Sequence, residues 1–352
     1  MTPQQVDVDK IQAIWPHVSK IDFNQKDYIA FWGHVKPWLD VLEGDAHHFY
    51  PLGSDDIFWI VEELRRQKES TRLSILDAVK QRFADKAPSD VAISLSVNLA
   101  AFLWLNVKVQ LWPSPGRLQW NNNQCLVDLL KNIGPTVGPV TSKESLNDEL
   151  TMERLVTDYG FTVIWTSNLV EHLWVNKKAK IVMVYEHMIC LRNHQLAGNQ
   201  TALPQSLVLE AMDTLNLLFP LGSGPTKSFL IREGKTFTEL GTFCRDRRLR
   251  LDNYKIWRPK LEELSMVLDV EPVGTRQFIL WRNGRNALQF VTFWIATIVA
   301  ILTVVSFVTG VSSMVYAKKA NDIAMLQYQF SLAETCSDPE VAAKLVDWCP
   351  KS

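Results

Sequence analysis

Cysteine, charge of one sign and catalytic signatures are all scarce in this chain, and each shortage closes off a class of protein. Five cysteines in 352 residues cannot build a disulfide-stapled scaffold. The 37 Lys and Arg nearly cancel the 38 Asp and Glu, for a formal net charge of −1, so the basic excess of a nucleic-acid binder is missing and no nucleic-acid partner is expected. There is no HExxH, no GxSxG elbow, no CxxC and no Walker phosphate loop. The nearest approach, Leu221 to Ser228 (LGSGPTKS), has the wrong glycine spacing and a proline where an amide is needed, so it reads as a turn with a lysine. No catalytic residue and no cofactor is assigned, and a non-enzyme is the preferred reading. What is plentiful is apolar material, 47% hydrophobic and 10% aromatic, enough to fill one or two ordinary cores.

One segment has no charge at all. Between Asn286 and Ala317 no charged side chain occurs, and Phe290 to Tyr316 reads FVTFWIATIVAILTVVSFVTGVSSMVY, longer than the roughly 20 residues a bilayer-crossing helix needs. A transmembrane helix is expected over about 290–316, with the lipid bilayer as its partner. Trp281, Phe290, Phe293 and Trp294 on one side and Tyr316 on the other supply an interfacial aromatic belt. Small residues Gly310, Ser312 and Ser313 permit close helix packing, and hence a homo-oligomer.

Orientation follows from charge and from the first residues. Arg245, Arg247, Arg248 and Arg250 lie in CRDRRLRLDNYKIWRPK, a basic stretch that anionic lipid head groups of a cytosolic leaflet would attract. Met1 to Lys20 carries Asp7, Asp9 and Lys10 and no apolar signal-peptide core. The expectation is therefore a cytosolic N-terminal region and a lumenal or extracellular C-terminal tail. Cys125, Cys190 and Cys244 precede the span without regular spacing and read as reduced thiols. Cys336 and Cys349 follow it, and either close a small disulfide loop in an oxidising compartment or stand as two thiols on a tail. The sequon at Asn199 would stay unmodified in this topology.

The rest of the pattern is mainly α with a small β element. Apolar residues recur at three- and four-residue intervals over Asp27 to Glu43, Asp55 to Phe83 and Ser89 to Val107, with Ser54, Asp55, Ser89 and Asp90 as N-caps. FTVIWT (Phe161 to Thr166) and KIVMVY (Lys180 to Tyr185) have strand character, and Ser206 to Leu218 returns to helix. The Pro/Gly-bearing stretch 134–148 reads as a linker or long loop. The predicted organisation is a helical N-terminal domain at 1–133, that linker, and an α-rich second domain with a short β element at 149–275. A juxtamembrane segment with the transmembrane helix follows at 276–317, then a short tail at 318–352.

Two constellations carry candidate chemistry. His187, Cys190 and His194, placed on a helix from Glu186 to His194, fall at i, i+3 and i+7 and would share one face, an imidazole–thiolate set suited to zinc. A fourth ligand would have to come from His172, His47 or His48, and no metal site is assigned, these three remaining weak candidates. In the WTxxLxxHL run, Leu169 and Leu173 are expected to point inward from a short helix, Thr166 or Ser167 to cap it, and His172 to sit at a boundary. Carboxylates 55, 56, 62 and 63 are followed by Arg65, Arg66 and Lys68 at ion-pair spacing, a solvated face.

The runs LAAFLWLNV (Leu99 to Val107), VIWTSNLVEHLWV (Val163 to Val175), MVYEHMICLRNH, LPQSLVLEAMDTLNLLFP (Leu203 to Pro220) and WRNGRNALQFVTFWIATIV (Trp281 to Val299) keep a distinctive order and spacing. In these the chain resembles a family of uncharacterised filamentous-fungal membrane proteins with a single C-terminal transmembrane helix. The resemblance implies a helical cytosolic region, one membrane helix and a short tail, and it brings no activity with it. The favoured function is a single-pass membrane protein whose helical domain is an interaction or scaffolding module. A membrane-tethered accessory enzyme of fungal specialised metabolism is the alternative. An oligomeric CorA-like ion transporter fits less well, for the chain lacks a Gly-Met-Asn pore signature and has one span where that family has two.

Overall fold

The computed structural model describes residues 6–21, 23–43, 53–110, 115–133, 145–235, 246–269 and 287–337. It is mainly α with a small β element and divides into two compact units, Met1–Glu271 and Pro272–Ser352.

Side-chain caps start most of the helices of the first unit. Asp7 accepts from the amides of Asp9 and Lys10 at the head of α1 (Val8–Ile14), and Ser89 accepts from Ala92 at the head of α5 (Asp90–Leu105). Between them lie α2 (Gln25–Glu43), α3 (Ser54–Arg66) and α4 (Arg72–Arg82). The single helical run predicted over 55–83 is thus two helices: the chain turns at Gln67 to Ser70, and Thr71 caps α4 by accepting from Ser74. Ser54 lies inside α3 rather than capping it; the amide of Gly53 is taken by the Asp56 carboxylate instead. α5 buries Ile93, Val97, Ala100, Leu103 and Trp104 and packs mainly against α3 and α4.

The β element is a three-stranded sheet in the order β3-β5-β4. Strand β3 (Thr162–Thr166) runs parallel to β5 (Ile181–Tyr185), and β4 (Val175–Asn176) is antiparallel to β5. Register pairs Thr162 with Ile181 and Thr166 with Tyr185. A two-residue parallel pair, β1 (Val109–Gln110) and β2 (Leu118–Gln119), extends the end of α5. Helices α6 (Leu126–Lys131), α7 (Met152–Thr157), α8 (Met188–Ala197), α9 (Gln205–Leu218), α10 (Gly224–Arg232) and α11 (Arg258–Asp269) complete the unit. Of the predicted linker 134–148, residues 134–144 lie outside the described residues, and Leu146 donates its amide to Leu249, so the stretch ends stitched to the fold. The halves on either side of it belong to the same compact unit.

One buried and one half-buried ionic group fasten the last helices. Glu210 on α9 accepts the successive amides of Lys255, Ile256 and Trp257 at 2.9, 2.7 and 2.8 Å, fixing the approach to α11. Arg247 donates to the carbonyls of Leu217 (3.0 Å), Asp148 (2.5 Å) and Leu150 (2.8 Å), bridging segments about 100 residues apart in sequence.

In the second unit, α12 (Ala287–Ser337) is one 51-residue helix, about 76 Å at 1.5 Å per residue. It is long and apolar enough to cross a membrane, and its most apolar stretch is wholly uncovered. The helix does not stop at Tyr316 but continues through Lys318, Lys319, Asn321 and Asp322 to Ser337, so the first part of the expected tail is helical.

Replacing Glu210 by alanine strands three amides in a half-dry seam, at about 1 kcal/mol or more each. We expect Glu210→Ala to lower stability by roughly 2–4 kcal/mol in thermal unfolding of the full chain followed by tryptophan fluorescence, with Glu210→Gln losing clearly less. Equal effects from the two variants would show that the carboxylate geometry is not what holds the seam.

Candidate functional site

Helix α5 has a buried side and, over residues 90–102, a side that faces a groove. The groove, about 800 Å³, is walled by Trp38 of α2, Leu76 of α4, and Leu95, Leu99 and Phe102 of α5. Its polar side comes from Arg72, Lys108 beside β1, Arg117 before β2, and Asn122. An opening of this size with an apolar wall and a few convergent polar groups has the form of a ligand site.

Arg72 is the unusual member. It is the first residue of α4, its backbone amide donates to Gln124, and its side chain is folded inward until the residue is 1% exposed. Nη1 donates to Asn122 Oδ1 at 2.8 Å, and Nη2 donates to Ser94 Oγ at 2.6 Å and Asn98 Oδ1 at 3.4 Å. Trp120 lies under the guanidinium, 5.6 Å from Cζ to the ring centroid. All of these partners are neutral, and Nε is buried without any hydrogen-bond partner. No carboxylate pairs with Arg72 among the described residues. Burial without a counter-ion pulls its pKa below the usual arginine value. Lys108 rests over the Phe102 ring at 5.7 Å, and Arg117 Nη1 donates to Gln110 Oε1 at 3.0 Å. The groove's one carboxylate, Asp90, is exposed at the rim and bonded to Lys80 at 2.8 Å. The site is therefore positive and apolar together, suited to holding an anion rather than to moving protons.

The predicted histidine–cysteine face does not assemble. α8 begins at Met188, so His187 precedes the helix, and its ring lies edge-on to Phe31 and Tyr185 and 5.2 Å from the His34 ring. Neither of its nitrogens has a hydrogen-bond partner, and the neutral imidazole serves as one more aromatic ring. His194 is fully engaged: Nε2 donates to the Trp104 carbonyl at 2.9 Å and Nδ1 accepts from Thr201 Oγ1 at 2.8 Å. Burial pushes the pKa of the Cys190 thiol well up, against the opposing hydrogen bond with Tyr185. No group of three or more His, Cys, Asp or Glu able to hold a metal occurs among the described residues. His47 and His48 lie outside them.

His172 is deeper than the boundary position expected, at 3% exposure. Thr214 gives its hydroxyl proton to the Ala211 carbonyl, so His172 Nε2 donates to Thr214 Oγ1 at 2.8 Å while Nδ1 accepts the Tyr185 amide at 3.2 Å. Leu169 and Leu173 are buried as expected, but Asn168, not Thr166 or Ser167, caps the 3₁₀ turn by accepting from Val170. The arginine cluster is largely committed inside the fold. Arg247 is the carbonyl clamp, Arg248 pairs with buried Asp213 at 3.1 Å, Arg250 pairs with Asp252 at 3.3 Å, and Arg245 lies outside the described residues. LGSGPTKS is the cap and first turn of α10, Ser223 accepting from the Thr226 amide. Nothing in the sequence marks Arg72, since its neighbours in the groove come from residues 38 to 122.

Comparison of the chain with protein-family models, with curated proteins and with solved structures finds no match.

Burial lowers the pKa values of His172, His187 and His194 to about 3 each. These groups are neutral in the folded chain and bind protons only on unfolding, so stability is complete above the free histidine value near 6.5 and is lost as pH falls through it toward 3. Three such groups give a slope of up to about 4 kcal/mol per pH unit. Because His187 makes ring contacts and no hydrogen bonds, His187→Phe should keep the fold and flatten that slope by about one third. Unfolding midpoints between pH 7 and 5 that do not move with pH would contradict the argument.

Proposed function

We propose that this chain is a single-pass membrane protein whose N-terminal unit is a cytosolic interaction module, with the Arg72 groove as its binding site. The observation that carries the reading is the bare apolar surface of α12, whose most hydrophobic window, of mean hydropathy 2.4, is 0% buried. A core helix would be covered by its own fold; this one needs lipid. Its hydroxyls are ready for lipid as well. Thr292, Thr297, Thr303, Thr309 and Ser312 donate to the carbonyls of Leu288, Phe293, Val299, Val305 and Val308, one turn back. Side chains satisfied within their own helix offer little to a permeating ion, which weighs against a transporter.

Cys336, near the end of α12, is disulfide-bonded, which supports placing the tail in a lumen or outside the cell. Pairing with Cys349, which lies outside the described residues, is the natural reading of the sequence. Cys190 and Cys125 are free, as thiols in the reducing cytosol should be. Close packing at Gly310, Ser312 and Ser313 would allow two copies to associate, and Arg250, exposed on the folded unit, could meet anionic head groups. Membership in the fungal membrane-protein family is likewise a proposal, resting on the order of the sequence runs. The groove offers no histidine or cysteine, so binding is favoured over a tethered enzyme.

Protease protection on microsomes from cells expressing doubly tagged chain tests the topology. The N-terminal tag should be digested and the C-terminal tag protected, with Cys336 and Cys349 reacting with maleimide only after reduction. Asn199 is exposed on the folded unit and would be accessible to the glycosylation machinery, so a glycan there, or a protected N-terminal tag, would invert the topology.

A further inference from the structure

The groove's charge and shape also constrain its occupant. A guanidinium taken out of water without a carboxylate or phosphate partner is expensive, and folded proteins rarely leave one so. In this same unit Arg154 and Arg258 are offset by carboxylates, while Arg65 and Arg247 have their donors taken by backbone carbonyls. Arg154 meets Glu149 at 2.6 Å and Asp158 at 3.0 Å, Arg258 meets Glu262 at 3.0 Å, and Arg247 holds three carbonyls. Arg72 alone among these combines near-complete burial, neutral partners and an unused, buried Nε–H, and it does so on the wall of a cavity.

Resting on the reading of the groove as a binding site, we propose that it takes a small monocarboxylate carried on an apolar, preferably aromatic, body. The carboxylate supplies the missing charge beside Arg72, and the side-chain amides of Asn98 and Asn122, which already hold the guanidinium and line the groove, are of the kind that hold carboxylate oxygens. One buried cation offsets one buried negative charge, whereas a phosphate dianion would bring a second that half-buried Lys108 and exposed Arg117 meet only at the mouth. The body lies along Leu95, Leu99 and Phe102, with Trp38, 40% exposed, and its ring 6.2 Å from that of Phe102, as the closing aromatic surface. A cavity of about 800 Å³ accommodates a ligand of drug-like size.

The test uses full-length protein in phosphatidylcholine nanodiscs, titrated calorimetrically with 4-phenylbutyrate, 4-phenylbutanol and 4-phenylbutyl phosphate, with empty discs subtracted. The carboxylate should bind, the alcohol at least tenfold more weakly, and the phosphate no more tightly than the carboxylate. Arg72→Lys, which keeps the charge but loses the planar fork, should weaken the carboxylate. Because that residue also ties α4 to α5, a second variant is needed. Val91 lines the groove, is 69% exposed and lies in the first turn of α5, where an acid is tolerated, so Val91→Glu should fold normally and weaken phenylbutyrate about tenfold by repulsion. Equal binding of the alcohol would overturn the proposed ligand class while leaving the groove a binding site. Tighter binding of the phosphate, unchanged affinity in Val91→Glu, or no binding of the carboxylate would each overturn it too. The topology is judged separately, by protease protection.

Discussion

The C-terminus of α5 is where the fold is decided. A helix end leaves carbonyls without partners, and here the donors come from the other half of the chain. Asn106 closes the helix in the left-handed region at φ 52°, and its carbonyl accepts the Leu169 amide while its side chain accepts the Tyr185 hydroxyl at 2.7 Å. Two residues earlier the Trp104 carbonyl takes His194, and two residues later the Lys108 amide donates to Asn168. The turn after β3, the end of β5 and helix α8 are thereby hung on one helix end. Residues 90–102 of the same helix wall the groove, and Lys108, whose amide Asn168 holds, lines it too, so the packing that joins the halves also bears on the groove's geometry.

That dependence explains what could and could not be read in the sequence. Long periodic elements were legible: α2, α5, α9, β3 and β5 lie within a few residues of the positions that apolar spacing indicates. The break between α3 and α4 was not, because periodicity runs across it and only the Thr71 cap gives it away. β1 and β2, two residues each, are too short to carry a period. Helical spacing placed His187, Cys190 and His194 on one face, but α8 starts one residue after His187 and tertiary partners claim His194. The basic run from Arg245 to Arg250 looks like a surface patch in one dimension. Only the fold shows that Arg247 and Arg248 are spent on carbonyls and on Asp213.

Arg72 was illegible for the complementary reason. In the sequence it is one more cation among Arg65, Arg66 and Lys68, and those behave as surface or seam residues do: Arg66 pairs with Glu63 and Arg65 donates to the carbonyls of Ala13 and Ile14. What sets Arg72 apart is near-complete burial on a cavity wall with neutral partners and an unpartnered Nε, once α4, α5 and the 120–124 turn have closed around it. An uncompensated buried cation is a property of assembled surroundings, and no local motif encodes it.

The proposed anchoring and binding make different demands on the chain, and they fall on chemically different surfaces. α12 satisfies its own hydroxyls and presents hydrocarbon, whereas the groove concentrates charge in an apolar wall. The two are linked by the nature of the proposed ligand. A molecule with an apolar body and one carboxylate partitions into the bilayer surface, so on the proposed reading a membrane anchor in the same chain would raise the ligand concentration the groove meets. An open groove with a single buried counter-charge gains limited affinity from its own contacts, since ordering the ligand offsets much of what burial and pairing contribute. If α12 spans a bilayer and the groove takes the proposed ligand, enrichment at the membrane would supply what the contacts do not, and the anchor would serve binding as well as address.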